Sequence, residues 1–171
     1  MCETVRLRLR RLSDGDAPFI LELLNDPDFL RNIGDRSVRN LEDARRYILT
    51  GPVASHEQFG FGLDLVELKS SSLKIGICGL LRRDSHPDVE LGYAFLPAGR
   101  GQGYAFEAAR AVIDLATRTL GLPRIVAQTA PDNQGSIRVL ERLGFRFEGM
   151  VSWTDPAQQS SLFVLQASRA P

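Results

Sequence analysis

Arg100, Gly101, Gln102 and Gly103 lead directly into Tyr104, Ala105 and Phe106, so two glycines stand at the mouth of a segment with helical apolar spacing. The first turn of a helix carries backbone N–H groups with no intrahelical partner, and glycine lets an anion's oxygens approach them without a side chain between. The chemistry such a turn offers is the cradling of a phosphate, although the same turn can simply join a strand to a helix. Two familiar phosphate loops do not fit. A Walker-type loop follows its last glycine with Lys and Ser or Thr, whereas Tyr104 and Ala105 follow Gly103. A dinucleotide fingerprint needs a third glycine at G-x-G-x-x-G. Counted from Gly99 that place holds Tyr104, and counted from Gly101 it holds Phe106.

Three further residues could do chemistry. Along Val89 to Leu96, strand alternation puts Val89, Leu91, Tyr93 and Phe95 on one face and Glu90, Gly92 and Ala94 on the other. The two small neighbours leave room for a ligand beside the Glu90 carboxylate, which reads as a general base, a water relay or a group held by a neighbouring strand. Asn133 and Ser136 open a helix, where simple capping accounts for both. Other polar residues are assigned less. Arg6, Arg8 and Arg10 read as the solvated face of a strand, Trp153 as packing, and His56 and His86 as lone loop residues without a role. Asp26, Asp28 and Asp35 gather in one loop as solvated carboxylates or as a negative rim for a protonated amine.

The elements that must position these residues follow from periodicity. Leucine alternates with arginine between Val5 and Leu12, the pattern of a half-buried strand. Asp14 and Asp16 are available as N-caps, Pro18 suits a first turn, and Phe19, Ile20 and Leu23 carry a helix to about Asn25. The stretch 26–39 has no period and reads as loop, after which Asn40 caps a second helix bearing Leu41, Ala44 and Ile48. Phe59, Phe61, Leu63 and Leu65 alternate along one strand and Leu73, Ile75 and Ile77 along another, with "KSSS" as the hairpin between them. Val89 to Phe95 is the next strand. The helix after the glycine turn carries Phe106, Ala109, Ile113, Ala116 and Leu120, with Asp114 and Arg118 placed to pair on its outer face. "RIVAQTA" is a buried strand, "NQGSIRVLERLG" a helix closed by Gly144, and "FRFEGMVSW" and "SSLFVLQA" are two more strands. The order predicts a mixed α/β sheet of seven strands with about four helices on its faces.

Composition bounds the partners. The chain has 171 residues, 43% hydrophobic and 25% charged, which predicts one domain over 1–167 with 168–171 as a loose tail. Its 21 basic and 21 acidic residues cancel, so no overall positive field draws it to nucleic acid or an anionic membrane. Cys2 and Cys78 stand in no metal-ligand or disulfide pattern. No metal is expected. With no apolar run suited to a signal peptide or a membrane span, a cytoplasmic protein is expected.

Read together, "VELGYAFLPAGRGQGYAFEA" and "NQGSIRVLERLGFRFEG" resemble the acetyl-CoA signatures of the GNAT superfamily of N-acetyltransferases. The first carries the G-x-G/A core of the Q/R-x-x-G-x-G/A motif at Gly101 and Gly103, and the second the N-x-x-S/A segment that runs on to "LGF". The opening "RLRLRRLSDGDA" resembles the RimJ/RimL branch, whose members acetylate protein N-termini, including those of ribosomal proteins. The resemblance implies a splayed seven-stranded sheet that holds the pantetheine of acetyl-CoA between two diverging strands. It implies that Phe95 and Leu96 pair with the pantetheine amides and that Arg100, Gly101, Gln102, Gly103, Tyr104 and Ala105 receive the pyrophosphate, the Arg100 charge helping to neutralise it. It further implies Asn133 as a contact to the cofactor arm, Ser136 as a proton donor near the sulfur, and Glu90 as a base. Ala98 departs from the motif's Gln or Arg, and Leu140 stands where many relatives place a tyrosine acid.

Acyl transfer to an amine needs a neutral amine, a place for the oxyanion and a thiolate able to leave, but no covalent protein nucleophile. The implied activity is acetyl-CoA-dependent N-acetylation of a primary amine by direct attack in a ternary complex, with a protein or peptide N-terminus as acceptor. A small amine (amino acid, polyamine or aminoglycoside) and a non-catalytic CoA-binding sensor stay open as alternatives. Either a monomer or a homodimer is compatible with the sequence.

Overall fold

The computed structural model describes residues 2–84, 86–152 and 159–167; Trp153 and the expected tail at 168–171 lie outside them. The strands are β1 (Cys2–Glu3), β2 (Leu7–Arg11), β3 (Leu63–Leu68), β4 (Lys74–Arg82), β5 (Val89–Phe95), β6 (Arg124–Thr129), β7 (Arg146–Val151) and β8 (Ser160–Gln166). The helices are α1 (Ala17–Leu24), α2 (Pro27–Asn32), α3 (Leu41–Ile48), α4 (Ala54–Phe59), α5 (Tyr104–Arg118) and α6 (Gln134–Arg142). One mixed sheet runs in the order β1-β2-β3-β4-β5-β6-β8-β7. Every neighbouring pair is antiparallel except β5 with β6.

That parallel pair is where the sheet opens. β5 pairs with β4 along its whole length, from Val89↔Arg82 to Phe95↔Gly76, yet meets β6 only at Val89↔Ile125 and Glu90↔Val126. From Leu91 onward the two strands share no ladder, so the sheet is splayed on the side where β5 runs toward the glycine turn.

Apolar spacing decides which helix covers which face. Ala108, Ala109, Val112, Ile113 and Ala116 line one side of α5 and pack with Leu140 of α6 onto Leu7, Leu9, Val66 and Leu91. On the opposite face, Ile20, Leu23 and Leu24 of α1 join Ala44 and Ile48 of α3 against Leu63, Leu65, Ile77 and Ala94. Full burial of each valine, leucine or isoleucine among them stabilises the fold by roughly 1.5–3 kcal/mol, and each alanine methyl contributes less. Among the described residues no helix is long and apolar enough to cross a membrane.

Local chemistry accounts for the departures from expectation. The stretch read as loop contains α2, with Asp26 accepting from the Asp28 and Phe29 amides and Pro27 at the first position. Phe59 ends α4 instead of opening a strand, because Gly60 at φ +78° terminates the helix and β3 begins only at Leu63. Phe59 and Phe61 do associate, as stacked rings with centroids 5.9 Å apart. Asp16 does not cap α1 through its side chain. Asp114 approaches Arg110, at 3.7 Å, and not Arg118. The two-residue β1 makes an eighth strand.

Arg6, just before β2, and Arg8 and Arg10 within it are likewise not simply solvated. Arg10 makes two bonds of 2.8 and 2.9 Å to buried Asp16 and a third of 2.8 Å to Glu67. Arg6 and Arg8 pair with Glu107 and Glu3. Lys74 joins Asp16 at 2.7 Å, and Ser13 donates to it through both its amide and its hydroxyl.

Candidate functional site

The glycine turn is built from two residues in the left-handed region, Gly101 at φ +72° and Gly103 at φ +79°. A side chain at either is strained by the backbone conformation, while a Cβ on Gly101 would meet nothing within 4 Å. Gly103 is the N-cap of α5 and supplies no capping side chain, leaving the first amides of a 15-residue helix for an external acceptor. Together with the end of β5 and the first turns of α6, this turn bounds a cleft of about 590 Å³.

A second cleft, of about 440 Å³, opens on the other side of β5 and is lined by α2, α3, α4 and the middle of the sheet. The two clefts share a wall formed by Tyr93, Ala94, Asn133 and Ser136 with Phe29 and Asn32 of α2. Asn133 caps α6, its Oδ1 accepting from the Ser136 amide at 3.1 Å. The Ser136 hydroxyl therefore projects from a pinned first turn, and the Tyr93 hydroxyl meets its Oγ at 2.8 Å. Burial pushes the Tyr93 phenol well above its ordinary pKa, against the opposing pull of that hydrogen bond, so it remains an O–H group at physiological pH. Sequence reasoning had set Tyr93 on an apolar stripe; only the docking of α6 against β5 reveals its partner.

Glu90 faces the second cleft, as alternation predicted, and is 5% exposed. Its carboxylate is held by Arg83, with Nε at 2.5 Å and Nη2 at 3.3 Å, and by the Gln128 amide at 3.3 Å. His86, assigned nothing from sequence, is buried with Nε2 at 3.4 Å from the same carboxylate. His56, also assigned nothing, accompanies Asp64 at 2.9 Å in a pair away from the clefts.

Several expected cofactor contacts are otherwise engaged. Leu96 donates its amide to Ile75 and accepts from Gly99, so its one backbone donor is taken and its carbonyl keeps a second lone pair. Phe95 lines the first cleft, while its carbonyl accepts from Arg100 Nε at 2.8 Å. The Arg100 charge is matched by Asp26 and, at 2.6 Å, by Asp28, so it pins α2 to the end of β5 before any anion arrives. Gln102 is exposed and bonds Ala98 through its side chain. The cations on the rim of the first cleft are instead Arg138 and Arg142 of α6, the latter 4.5 Å over the Phe106 ring. Asp26, Asp28 and Asp35 are not free carboxylates: Asp26 and Asp28 share Arg100, and Asp35 pairs with Arg39.

Comparison with known proteins fits this geometry. Residues 6–146 match the family model described as Acetyltransferase (GNAT) domain. The uncharacterized N-acetyltransferase YoaA of Bacillus subtilis (strain 168) is 31% identical over 151 residues, covering 87% of this chain and 84% of YoaA. A crystal structure of an acetyltransferase from Agrobacterium tumefaciens str. C58 superposes with a TM-score of 0.82 at 28% identity, over 96% of this chain and 93% of that one. The ribosomal-protein-S5-alanine acetyltransferase of Vibrio fischeri shares the fold, with a TM-score of 0.80 at 22% identity over 99% and 98% of the two chains. A splayed parallel pair, a glycine turn opening a helix and a family match across most of the chain lead to one conclusion. The chain belongs to the GNAT family, acetyltransferases that take their acetyl group from acetyl-CoA.

Proposed function

We propose that the chain moves the acetyl group of acetyl-CoA to the α-amine at the N-terminus of a protein or peptide, by direct attack while both substrates are bound. The observation that carries the reading is the shared wall of the two clefts, where the Ser136 and Tyr93 hydroxyls are 2.8 Å apart. The first cleft fits acetyl-CoA: exposed left-handed glycines, an uncapped helix N-terminus and, beside them, the end of β5 beyond its last pair with β6. In this reading the Gly101 to Ala105 turn receives the diphosphate, Arg138 and Arg142 supply positive charge, and Asn133 faces the cofactor arm.

When bound, acetyl-CoA supplies a thioester whose leaving thiol has an ordinary pKa of about 8.5, so a hydrogen bond suffices to ease its departure. Ser136 provides that bond. Either hydroxyl can donate in the Tyr93–Ser136 pair, and the Ser136 carbonyl lies 3.3 Å from the same phenol; in this reading Tyr93 donates to Ser136 Oγ, which turns the serine's own proton toward the sulfur. As the N–C bond forms and the C–S bond breaks, the amine's proton is released to solvent. An α-amine, with a pKa of about 8, is partly neutral at pH 7, whereas a lysine amine at about 10.4 is almost wholly charged. With its carboxylate held by Arg83 and Gln128, Glu90 serves as a positioning residue that fixes the polar floor of the acceptor cleft.

Charge argues against polycationic acceptors. Among the described residues lining the second cleft, Glu90 is the sole carboxylate, against Arg36, Arg82 and Arg83. A polyamine or aminoglycoside would bring several ammonium groups to a positive wall. The test is mass spectrometry after incubation with acetyl-CoA and a panel of peptides with free or blocked N-termini, lysine peptides, polyamines and aminoglycosides. The expected product is acetylated only at free α-amines; label on a polyamine or on lysine side chains alone would overturn the reading.

A further inference from the structure

Among the described residues, every charged side chain from 26 to 39 but one has an ion-pair partner. Asp26 and Asp28 share Arg100, Asp35 pairs with Arg39, and Arg31 with Asp132. Arg36, in the same segment, has no carboxylate partner among the described residues, although it is half-buried and lines the second cleft. Tyr47 of α3 lines the same cleft, where the Arg36 and Arg83 charges oppose the effect of burial on its phenol. Burial raises the pKa of that phenol, so it persists as a hydroxyl donor. Arg83 is already engaged by Glu90, and the cleft's other walls mix apolar Ile33, Pro52, Phe59 and Leu81 with uncharged Asn32, Thr50 and Gln58. A half-buried guanidinium in a cleft whose sole carboxylate is already held by Arg83 offers donors and positive charge with no carboxylate among the described residues to receive them.

We infer that the acceptor carries a carboxylate near its amine, and that Arg36, with Tyr47 beside it, receives that carboxylate while the amine faces the Ser136 wall. The inference rests on the α-amine reading and narrows it. An acidic side chain close to a peptide N-terminus and the α-carboxylate of a free amino acid share this chemistry. A phosphate-rich anion is served by the other cleft, to which Arg36 does not contribute.

The experiment compares C-terminally amidated peptides identical except for Glu, Gln or Lys at the second position, together with free amino acids and their amides. Acetylation is followed for the wild type, Arg36→Gln and Arg36→Glu. The kcat/KM of the Glu peptide should exceed that of the Gln peptide by about tenfold in the wild type, as a partly exposed charge-assisted bond allows. That ratio should fall to near one in Arg36→Gln and turn in favour of the Lys peptide in Arg36→Glu. Calorimetric binding of CoA by both variants confirms that they are folded. Preference for free amino acids over both their amides and the Glu peptide would support the inference through the α-carboxylate while removing the peptide acceptor. Equal use of Glu and Gln peptides and of amino acids and their amides, or a preference that survives Arg36→Gln, overturns the inference and leaves the α-amine reading standing. Failure of every α-amine to take the acetyl group overturns both.

Discussion

Ser136 and Tyr93 form a couple whose parts come from elements far apart in the chain. A serine at a helix start is ordinarily free to rotate, but here its amide is held by Asn133 and its oxygen by a phenol that stays protonated. If Tyr93 acts through Ser136, the two are not independent. Ser136→Ala should lower kcat by roughly tenfold to a hundredfold, with acetyl-CoA affinity unchanged, and Tyr93→Phe should lower it less. The double variant should be no slower than Ser136→Ala alone, in an assay limited by chemistry; additive losses would separate the two residues. Glu90→Gln probes the other polar group of the shared region. A positioning role predicts a lower kcat with an unshifted pH profile, and loss of the low-pH limb would instead identify Glu90 as the base.

At the scale of elements, buried Asp16 joins β2, β4 and the start of α1. Burial works against its charge, yet Arg10, Lys74 and Ser13 outweigh it and hold the carboxyl far below the ordinary carboxylate range. A depressed pKa contributes stability that is present above the ordinary carboxylate range and lost as pH falls through the folded-state value. Asp16→Asn should therefore cost about 3 kcal/mol at neutral pH, and its deficit in urea denaturation should shrink as the pH is lowered below about 4. A deficit constant with pH would contradict the assignment.

Elements also decide what could be read in advance. α1, α3, α5 and α6 were legible because local spacing and caps such as Asn40 and Asn133 define them, and so was the glycine turn before α5. α2 was missed although Asp26 and Pro27 are a cap and a first-turn proline, since six residues are too few for a period to emerge. Alternating Phe59 and Phe61 imitated a strand that Gly60 does not permit. The partners of Arg100 and Tyr93 were not legible for a different reason: Asp26 and Ser136 are distant in sequence and adjacent only after folding.

On the scale of the molecule, one topological feature organises the rest. β5 is laddered to β4 throughout and leaves β6 after two pairs, so the sheet parts where the glycine turn and α6 converge. One cleft forms on each side of that opening, and their common wall is the place where a donor and an acceptor can meet. The most direct test is calorimetric titration with a conjugate joining the sulfur of CoA, through an acetyl linker, to a peptide N-terminus. If the clefts act as one site, the conjugate should bind about a hundredfold more tightly than CoA, and Gly103→Asp, which sets a carboxylate in the diphosphate cradle, should abolish binding of both. A conjugate that binds no more tightly than CoA would contradict the account.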